Sequence, residues 1–251
     1  MEEPSLRMLE DNYEQEVFGT LGGAMVSIME LNELLDYLKP KDNEEILDIG
    51  TGTGRIARVL IKHKVDLTGI DLNFARIKTS VKNRLLVGGN ASNYKLVVAD
   101  GQFLPFEDSS FDAIVCIRSL KYFPNYLLGI REMSRVLKPG GRLVLSISNV
   151  YGIDSILLRL RLLAYKKLFR FGALKPIFAM NNLKVQDALA LNKIHPKVWT
   201  FFTNASLLAF LHATELTLKK ATPKEFLSRE LMLRLVSTKN PRERSAEFRD
   251  L

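Results

Sequence analysis

The stretch Glu45-Ile-Leu-Asp-Ile-Gly-Thr-Gly-Thr-Gly-Arg55 decides the fold of this chain. A short apolar run that contains Asp48 is followed by Gly50, Gly52 and Gly54, and a helix-like segment begins directly afterwards. Glycines let the chain turn sharply at the end of a strand and bring bare backbone close to a ligand. We therefore expect a strand, a turn and a helix, with a binding site at the carboxyl end of the strand.

Short apolar runs alternate with helix-like stretches along the first 150 residues. The strand-like runs are residues 46–49, 67–70, 95–99, 113–117 and 142–147, and the helix-like stretches are residues 56–63, 73–86 and 126–137. Such alternation is typical of parallel strands joined by crossover helices. The pattern predicts an α/β fold with a doubly wound, Rossmann-like sheet and helices on both faces.

The pattern changes after residue 150. Residues 151–196 are expected to be mostly helical, with an apolar side and a basic side. The apolar side contains Leu157, Leu160, Ala164, Leu168 and Phe171, and the basic side contains Arg159, Lys166 and Arg170. A capped helix near Asn204 and strand candidates at residues 216–221 and 230–238 complete the pattern.

Composition excludes several classes of protein. Hydrophobic residues make up 47% and charged residues 25% of the 251 residues, which is typical of a globular protein and excludes disordered and collagen-like classes. Residues 1–149 carry 18 basic and 20 acidic side chains, whereas residues 150–251 carry 18 basic and 8 acidic ones. The single cysteine, Cys116, excludes an internal disulfide. Because the sequence also has no signal-peptide pattern and no run suited to a membrane span, we expect a cytoplasmic protein.

A glycine-rich turn after a strand also permits a nicotinamide cofactor. Residues 52–57 fit the G-x-G-x-x-G/A pattern of dinucleotide binding, and Asp71 follows Gly54 by 17 residues, close to the expected ribose-binding acid. Asp48 argues against NAD, because it places negative charge where a pyrophosphate would lie. A cationic ligand is the better electrostatic partner.

Four segments resemble the motifs of class I S-adenosylmethionine-dependent methyltransferases, in the group that contains the ubiquinone and menaquinone methyltransferases. They are Ile46-Leu-Asp-Ile-Gly-Thr-Gly-Thr-Gly54, Gly69-Ile-Asp-Leu72, Ala99 to Asp112 with its Gly-Gln-Phe-Leu-Pro-Phe and Ser-Phe-Asp parts, and Arg135-Val-Leu-Lys-Pro-Gly-Gly-Arg-Leu143. The resemblance covers residues 40–150 closely and residues 199–240 loosely. It implies a seven-stranded sheet whose last strand is antiparallel, S-adenosyl-L-methionine as cofactor, and methyl transfer as the reaction.

The resemblance also implies a division of the chain. Residues 1–251 would form one methyltransferase domain, in which residues 1–40 are an N-terminal helical cap and residues 41–150 the cofactor-binding core. Residues 151–198 would be a helical substrate-cap insertion, and residues 199–240 the C-terminal helix and strands.

Each motif has a role that the resemblance implies. The loop of Gly50, Gly52 and Gly54 would pass beneath the methionine and ribose parts of the cofactor, and Asp48 would position its ammonium group. Asp71 would accept hydrogen bonds from both ribose hydroxyls, since a carboxylate offers two acceptor oxygens. The adenine part would be bound by Asp100, which accepts from the amino group, by Gly101, which leaves room for the ring, and by the apolar walls Leu72 and Phe103. The backbone near Ile117 would face the methionine part.

Two of these carboxylates have structural alternatives. Asp71 suits the N-cap of the helix that starts near Asn73. Asp48 could be a strand carboxylate whose oxygens accept from neighbouring backbone amides. Asp112 is expected to be structural, at the start of the fourth strand.

The catalytic residue is not predicted clearly. Related enzymes often have a histidine after the fourth strand, but this chain has Arg118-Ser-Leu-Lys-Tyr-Phe123 there. The candidates for a base are His195, Tyr122 and Tyr13, and no set of metal ligands is predicted. The cofactor's sulfonium is already a strong methyl donor, so alignment and exclusion of water matter most.

The acceptor should be chosen by the cap at residues 151–198. Its apolar and basic content indicates a small molecule that is hydrophobic, anionic or both, and residues 151–171 could also contact a membrane surface. Two alternatives stay open: a nucleic-acid methyltransferase, which the basic second half favours, and a noncatalytic protein that binds the cofactor. The sequence indicates no oligomeric state.

Overall fold

A seven-stranded sheet organises the chain. The computed structural model describes residues 18–86, 93–150, 168–191, 209, 212–214 and 230–240. The strands are β1 (Glu45–Ile49), β2 (Asp66–Asp71), β3 (Tyr94–Val98), β4 (Phe111–Cys116), β5 (Leu137–Ser148), β6 (Leu183–Leu191) and β7 (Glu230–Ser237).

The strand order confirms the predicted doubly wound topology. The order is β3-β2-β1-β4-β5-β7-β6, in which β1 to β5 pair in parallel. β7 pairs antiparallel with both β5 and β6, so the last strand in the chain is the antiparallel one. The chain order reverses between β1 and β4, which is the point where open α/β sheets bind their ligands.

Helices cover both faces of the sheet, as predicted. They are α1 (Leu21–Leu38), α2 (Ala57–Leu60), α3 (Phe74–Leu86), α4 (Tyr126–Val136) and α5 (Phe171–Met180). Leu34 and Leu38 of α1 belong to one buried apolar cluster, and Met133 of α4 and Phe178 of α5 belong to the other. Successive side chains of β1 point to opposite faces of the sheet. Ile46 therefore lies in the cluster of Leu34 and Leu38, and Leu47 lies in the cluster of Met133 and Phe178. No helix in the described part of the chain has the length and apolar character to cross a membrane.

The expectation that residues 151–196 are mostly helical is wrong at its described end. Helix α5 stops at Met180, and β6 then joins the sheet beside β7. Asn182 has φ 54° and sits in the turn between α5 and β6, a left-handed conformation that asparagine tolerates. The helical cap insertion therefore does not include residues 183–191, and residues 151–167 lie outside the described residues. The strand predicted at 230–238 is confirmed, whereas residues 216–221 and the helix near 204 also lie outside them.

Candidate cofactor site at the carboxyl edge of the sheet

The predicted binding residues gather at one edge of the sheet. Because β3, β2, β1 and β4 are parallel and adjacent, their carboxyl ends meet there. Asp71 ends β2, Gly50 follows β1, Asp100 follows β3, and Ile117 follows β4. The structure thus brings together four segments that are far apart in the sequence.

Backbone hydrogen bonds to β2 hold the glycine loop after β1 at the carboxyl edge of the sheet. The amides of Gly50 and Thr51 donate to the Ile70 carbonyl at 2.8 Å and 2.9 Å. Gly50 has φ +74°, and a Cβ there would collide with the side chain of Ser119 in the loop after β4. The position of a Cβ at Gly52 is open space, so here bare backbone faces the site.

Replacing Gly50 with alanine should destabilise the fold more than the same change at Gly140. Both glycines have positive φ, which costs an L-residue roughly 1–2 kcal/mol. Only Gly50 also lacks space for a Cβ, and overpacking adds about 1–3 kcal/mol. Denaturant unfolding of both variants measures the difference, and equal losses of unfolding free energy would contradict the close contact with Ser119.

Asp48 is a buried carboxylate that the described residues satisfy only in part. The side chain is 0% exposed, and neither oxygen accepts a hydrogen bond from any residue that the structure describes. Burial raises the pKa of Asp48 to about 7, while Thr51 and Arg55 lower it in part and Asp71 raises it further. The interpretation that backbone amides satisfy this carboxylate is therefore wrong within the described residues.

Three hydroxyls are linked beneath the glycine loop. The Tyr94 hydroxyl lies 3.0 Å from Thr51 Oγ1 and 3.0 Å from Ser80 Oγ. Burial, and then the nearby Asp48 charge, raise the pKa of Tyr94 to about 12, so this hydroxyl keeps its proton. The group links the glycine loop to α3 and β3, and its Thr51 hydroxyl also lowers the pKa of Asp48 in part.

Asp71 ties the ends of β1 and β2 together. Its Oδ2 accepts from the Gly52 amide at 2.9 Å, and its Oδ1 accepts from the Asn73 amide at 2.9 Å. The N-cap of α3 is Asn73, whose Oδ1 accepts from the amides of Ala75 and Arg76. Asp71 is therefore not the cap itself, and each of its oxygens keeps a lone pair that could accept a ligand hydroxyl.

Asp100 faces the same edge from β3 and is already hydrogen-bonded. Its Oδ1 accepts from the Gln102 amide at 2.9 Å, and both oxygens lie 3.1 Å from Gln102 Nε2. The space beside Gly101 is filled by Phe123 and Ile49, which a Cβ would hit. The missing side chain at Gly101 therefore serves packing inside the protein, and the role of Gly101 beside an adenine ring stays a prediction.

Apolar side chains lie exposed next to these carboxylates. Leu72 is 70% exposed and Phe103 is 68% exposed, although both are large and hydrophobic. Leu72 directly follows Asp71 and Phe103 follows Asp100 by three residues, so each exposed apolar group lies close in the chain to an acceptor. A flat ligand with apolar faces and polar edges matches this combination.

Only one of the three candidate bases lies in the described residues. Tyr122 ends the short 3₁₀ helix Leu120–Tyr122 after β4, and its side chain is half-buried. The Lys121 ammonium lies 5.4 Å from the centre of the Tyr122 ring. His195 and Tyr13 lie outside the described residues. Ile117 is buried, and its carbonyl accepts from Ser119 Oγ at 3.2 Å.

A buried cluster of charged side chains behind the site was not predicted from the sequence. It consists of Glu30 on α1, Arg55 after the glycine loop, Arg118 and Lys121 after β4, and Glu230 at the start of β7. Lys121 Nζ lies 2.8 Å from Glu230 Oε1. A sequence signal exists, since Glu30 falls between Val26 and Leu34 on the apolar side of α1, where a carboxylate needs a cation.

The amino edge of the sheet carries structural charges instead. Asp112 Oδ2 accepts from the Glu45 amide at 3.0 Å and from Lys138 Nζ at 2.7 Å. Burial would raise the pKa of Asp112, but Lys138 and the amide hold it below its usual value. The expectation that Asp112 is structural agrees with these contacts.

Comparison with known proteins gives relatives for the central part of the chain. Residues 47–145 match the family described as a methyltransferase domain. The sterol 4-C-methyltransferase strm-1 of Caenorhabditis elegans is 37% identical over 112 residues, which are 44% of this chain and 33% of that protein. The ubiquinone/menaquinone biosynthesis C-methyltransferase UbiE of Bartonella quintana is 38% identical over 125 residues, which are 47% of this chain and 48% of that protein.

The similarity extends to solved structures. The [4+2]-cyclase SpnF superposes with a TM-score of 0.63 over 84% of this chain and 81% of that chain, at 17% identity, which supports the fold alone. The chain spans about a third to a half of the length of the relatives it matches. The segment that matches the family begins within β1, contains the glycine loop, β2, β3 and β4, and ends within β5. Residues 47–145 therefore match a methyltransferase domain and are similar in sequence to C-methyltransferases of ubiquinone and menaquinone biosynthesis.

Proposed function

We propose that this protein transfers the methyl group of S-adenosyl-L-methionine to a small hydrophobic or anionic acceptor. One observation carries the proposal: the buried Asp48 carboxylate lies beside an open backbone loop, and the described residues meet it only in part, through the Thr51 hydroxyl and the Arg55 charge. An isolated buried carboxylate is costly unless a cation or hydrogen-bond donors meet it. The ammonium group of the cofactor is both a cation and a donor.

The other residues at this edge fit the remaining parts of the cofactor. Asp71 would accept from the ribose hydroxyls while it holds Gly52, Asp100 would accept from the adenine amine, and Leu72 and Phe103 would cover the ring. The backbone of Gly50 to Gly54 and of Ile117 would line the methionine part. NAD suits this edge poorly, since Asp48 would then face phosphate oxygens.

For methyl transfer, the main task of the protein is to align the acceptor with the methyl group. The bound cofactor supplies an electrophilic methyl group on a sulfonium. The chain's own residues would position the acceptor and exclude water, which accounts for much of the rate in such reactions. Tyr122 is the described candidate for holding or receiving a proton, because it is half-buried in the loop after β4. His195 and Tyr13 stay predictions.

The acceptor is proposed to be a lipophilic small molecule. The two sequence relatives named above are enzymes for a sterol and for quinones, and the basic, apolar segment 151–171 has the character to admit such compounds or to contact a membrane surface. We also propose a cytoplasmic location, because the single cysteine lies in the buried strand β4 as a free thiol. The boundaries of the acceptor cap within residues 151–198 stay a prediction apart from β6.

Binding of the reaction product separates the proposal from its rivals. Isothermal calorimetry of the whole chain should show S-adenosylhomocysteine binding and no binding of NAD at the same concentrations. If NAD bound and S-adenosylhomocysteine did not, the cofactor assignment would be wrong. The measurement tests the site without knowledge of the acceptor.

Transfer itself needs a separate experiment, since the fold neighbour SpnF is a cyclase and fold does not fix function. The protein is incubated with methyl-labelled S-adenosylmethionine and separate lipid, polar-metabolite and RNA fractions. Label in the lipid fraction is the expected result. Label in RNA would support the nucleic-acid alternative, and binding without label in any fraction would support the noncatalytic one.

A further inference from the structure

Glu30 lies at the centre of the buried charged cluster. Arg118 Nε lies 3.0 Å from each Glu30 oxygen, and its Nη2 lies 2.8 Å from Glu30 Oε2. A second guanidinium, that of Arg55, approaches Glu30 Oε1 at 3.6 Å. Burial alone would raise the pKa of Glu30, but the two arginines outweigh it and hold the pKa below its usual value. The carboxylate is therefore ionised and shared by two cations.

The two arginines come from the two loops that form the candidate cofactor site. Arg55 directly follows Gly54 of the glycine loop, and Arg118 directly follows Ile117 after β4. Glu30, in contrast, belongs to α1, which contributes no residue to the edge described above. One side chain of α1, Glu30, thus contacts an arginine of each loop.

The backbone conformation of Arg118 shows that its surroundings hold this residue in place. Arg118 has φ 60°, a left-handed conformation that non-glycine residues rarely adopt unless their surroundings impose it. Its amide donates to Ser146 Oγ at 2.7 Å, and its guanidinium is fixed by Glu30. Both ends of the residue are held, so the carbonyl of the preceding Ile117 is oriented as well.

The glycine loop is held to the same helix twice. Besides its approach to Glu30, Arg55 donates from Nη1 to Ser27 Oγ at 3.1 Å, and Ser27 precedes Glu30 by one turn of α1. The Phe18 ring lies against both guanidinium groups, 4.6 Å from Arg55 Cζ and 5.3 Å from Arg118 Cζ. Contacts of this kind add cation–π attraction and keep water away from the ion pairs.

We infer that Glu30 is a positioning residue, which couples the docking of α1 to the order of both cofactor loops. The inference rests on the proposed function and deepens it. Glu30 is not among the residues assigned to the cofactor, and its effect on ligand affinity is transmitted through its contacts with Arg55 and Arg118. Coupling of this kind is reciprocal, and a ligand that orders the loops must also stabilise the docked helix.

The test replaces Glu30 with glutamine and compares it with Glu44→Gln. Glu44 makes a two-pronged pair with Arg142, at 2.9 Å and 2.6 Å, that is somewhat more exposed than the Glu30 pair, and Arg142 also donates to the Leu38 carbonyl at the end of α1. That pair lies at the amino edge of the sheet, away from both loops. Both variants should lower the melting temperature, but only Glu30→Gln should weaken S-adenosylhomocysteine binding, by roughly 2- to 30-fold.

A measurement on the unmodified protein covers the case in which Glu30→Gln does not fold. Hydrogen exchange of the whole chain is followed with and without S-adenosylhomocysteine. Amides of residues 21–38 should exchange more slowly with the ligand, together with those of residues 50–56 and 117–121. Protection of the loops without protection of α1 would overturn the inference.

The outcomes separate the inference from the proposed function. If the wild type binds S-adenosylhomocysteine and a folded Glu30→Gln variant binds it within twofold, the coupling through Glu30 is wrong and the cofactor assignment stands. If the wild type does not bind it at all, the proposed function fails and the coupling fails with it. A double change with Arg118→Gln adds a check, since the two effects on affinity should be less than additive when one pathway carries both.

Discussion

Replacing Asp71 with alanine is expected to weaken S-adenosylhomocysteine binding by about 100-fold or more. Two hydrogen bonds to a charged acceptor contribute roughly 1.5–3 kcal/mol each, so losing both ribose contacts already gives this factor. The same change also frees the Gly52 amide, which Asp71 Oδ2 now holds at 2.9 Å. Calorimetric titration of wild type and variant measures the ratio of dissociation constants.

A control and a modified ligand separate the ribose contact from the loop contact. Asp66→Ala removes a carboxylate from the other end of the same strand, β2, and should leave the affinity unchanged. The 2′-deoxy analogue of S-adenosylhomocysteine keeps one of the two hydroxyls, so Asp71→Ala should weaken its binding by a smaller factor than it weakens binding of S-adenosylhomocysteine itself. A full, additive loss in that combination would contradict the assignment of the ribose hydroxyls to Asp71.

Replacing Asp48 with asparagine is expected to weaken cofactor binding about 10- to 100-fold at pH 8, since one charge-assisted contact is lost. The wild type should also show a pH dependence that the variant lacks. With a pKa of about 7, Asp48 is protonated in the free protein below pH 7, and binding of an ammonium group requires it to be ionised. The dissociation constant should therefore rise as pH falls below 7 and be constant above it.

The stability of the free protein should respond to Asp48 with a defined sign. Its pKa is raised from its usual value of 3.8 to about 7 in the folded state, so the folded protein holds a proton that the unfolded chain has lost. Stability should fall between pH 4 and pH 7, by about 4 kcal/mol, and not change further above it. Asp48→Asn should raise the melting temperature at pH 8 and not at pH 5.

Asp112→Asn is the matched control for that change. Asp112 has partners in Lys138 and the Glu45 amide, and its pKa is lowered, so its loss should destabilise the fold at pH 8. The pH dependence of ligand affinity should persist in this variant. If both asparagine variants destabilised the protein equally at pH 8, Asp48 would be a structural carboxylate and its open position would have no function.

The sequence predicts the part of the fold in which apolar runs and helices alternate regularly. The alternation of apolar runs and helices between residues 46 and 147 locates β1 to β5, and the spacing of Asp48, Asp71 and Asp100 places three carboxylates at one edge. The sequence does not predict β6, because the change from helix to strand is indicated only by Asn181 and Asn182. Asn181 caps the end of α5, and Asn182 adopts a left-handed conformation in the turn that follows. Turn chemistry outweighed the apolar content that had indicated a helix.

The charged cluster could not be predicted for a different reason. Its members, which are Glu30, Arg55, Arg118, Lys121 and Glu230, lie on five segments whose meeting depends on the order of strands in the sheet. Sequence spacing carries information along a helix or a strand, and none about which distant segments become neighbours. Gly101 illustrates the same limit, because its closest neighbour, Phe123, belongs to another loop.

The position of β7 in the sheet determines when β5 and β6 can be joined into one sheet during synthesis. β7 is made last but lies between β5 and β6, which are both made earlier. Until residue 230 leaves the ribosome, the apolar β5 has an unpaired edge, and such edges invite pairing with other chains. Lys121 also lacks the Glu230 carboxylate until then. Synthesis of β7 therefore supplies hydrogen bonds to β5 and β6 and a carboxylate to Lys121 in one step.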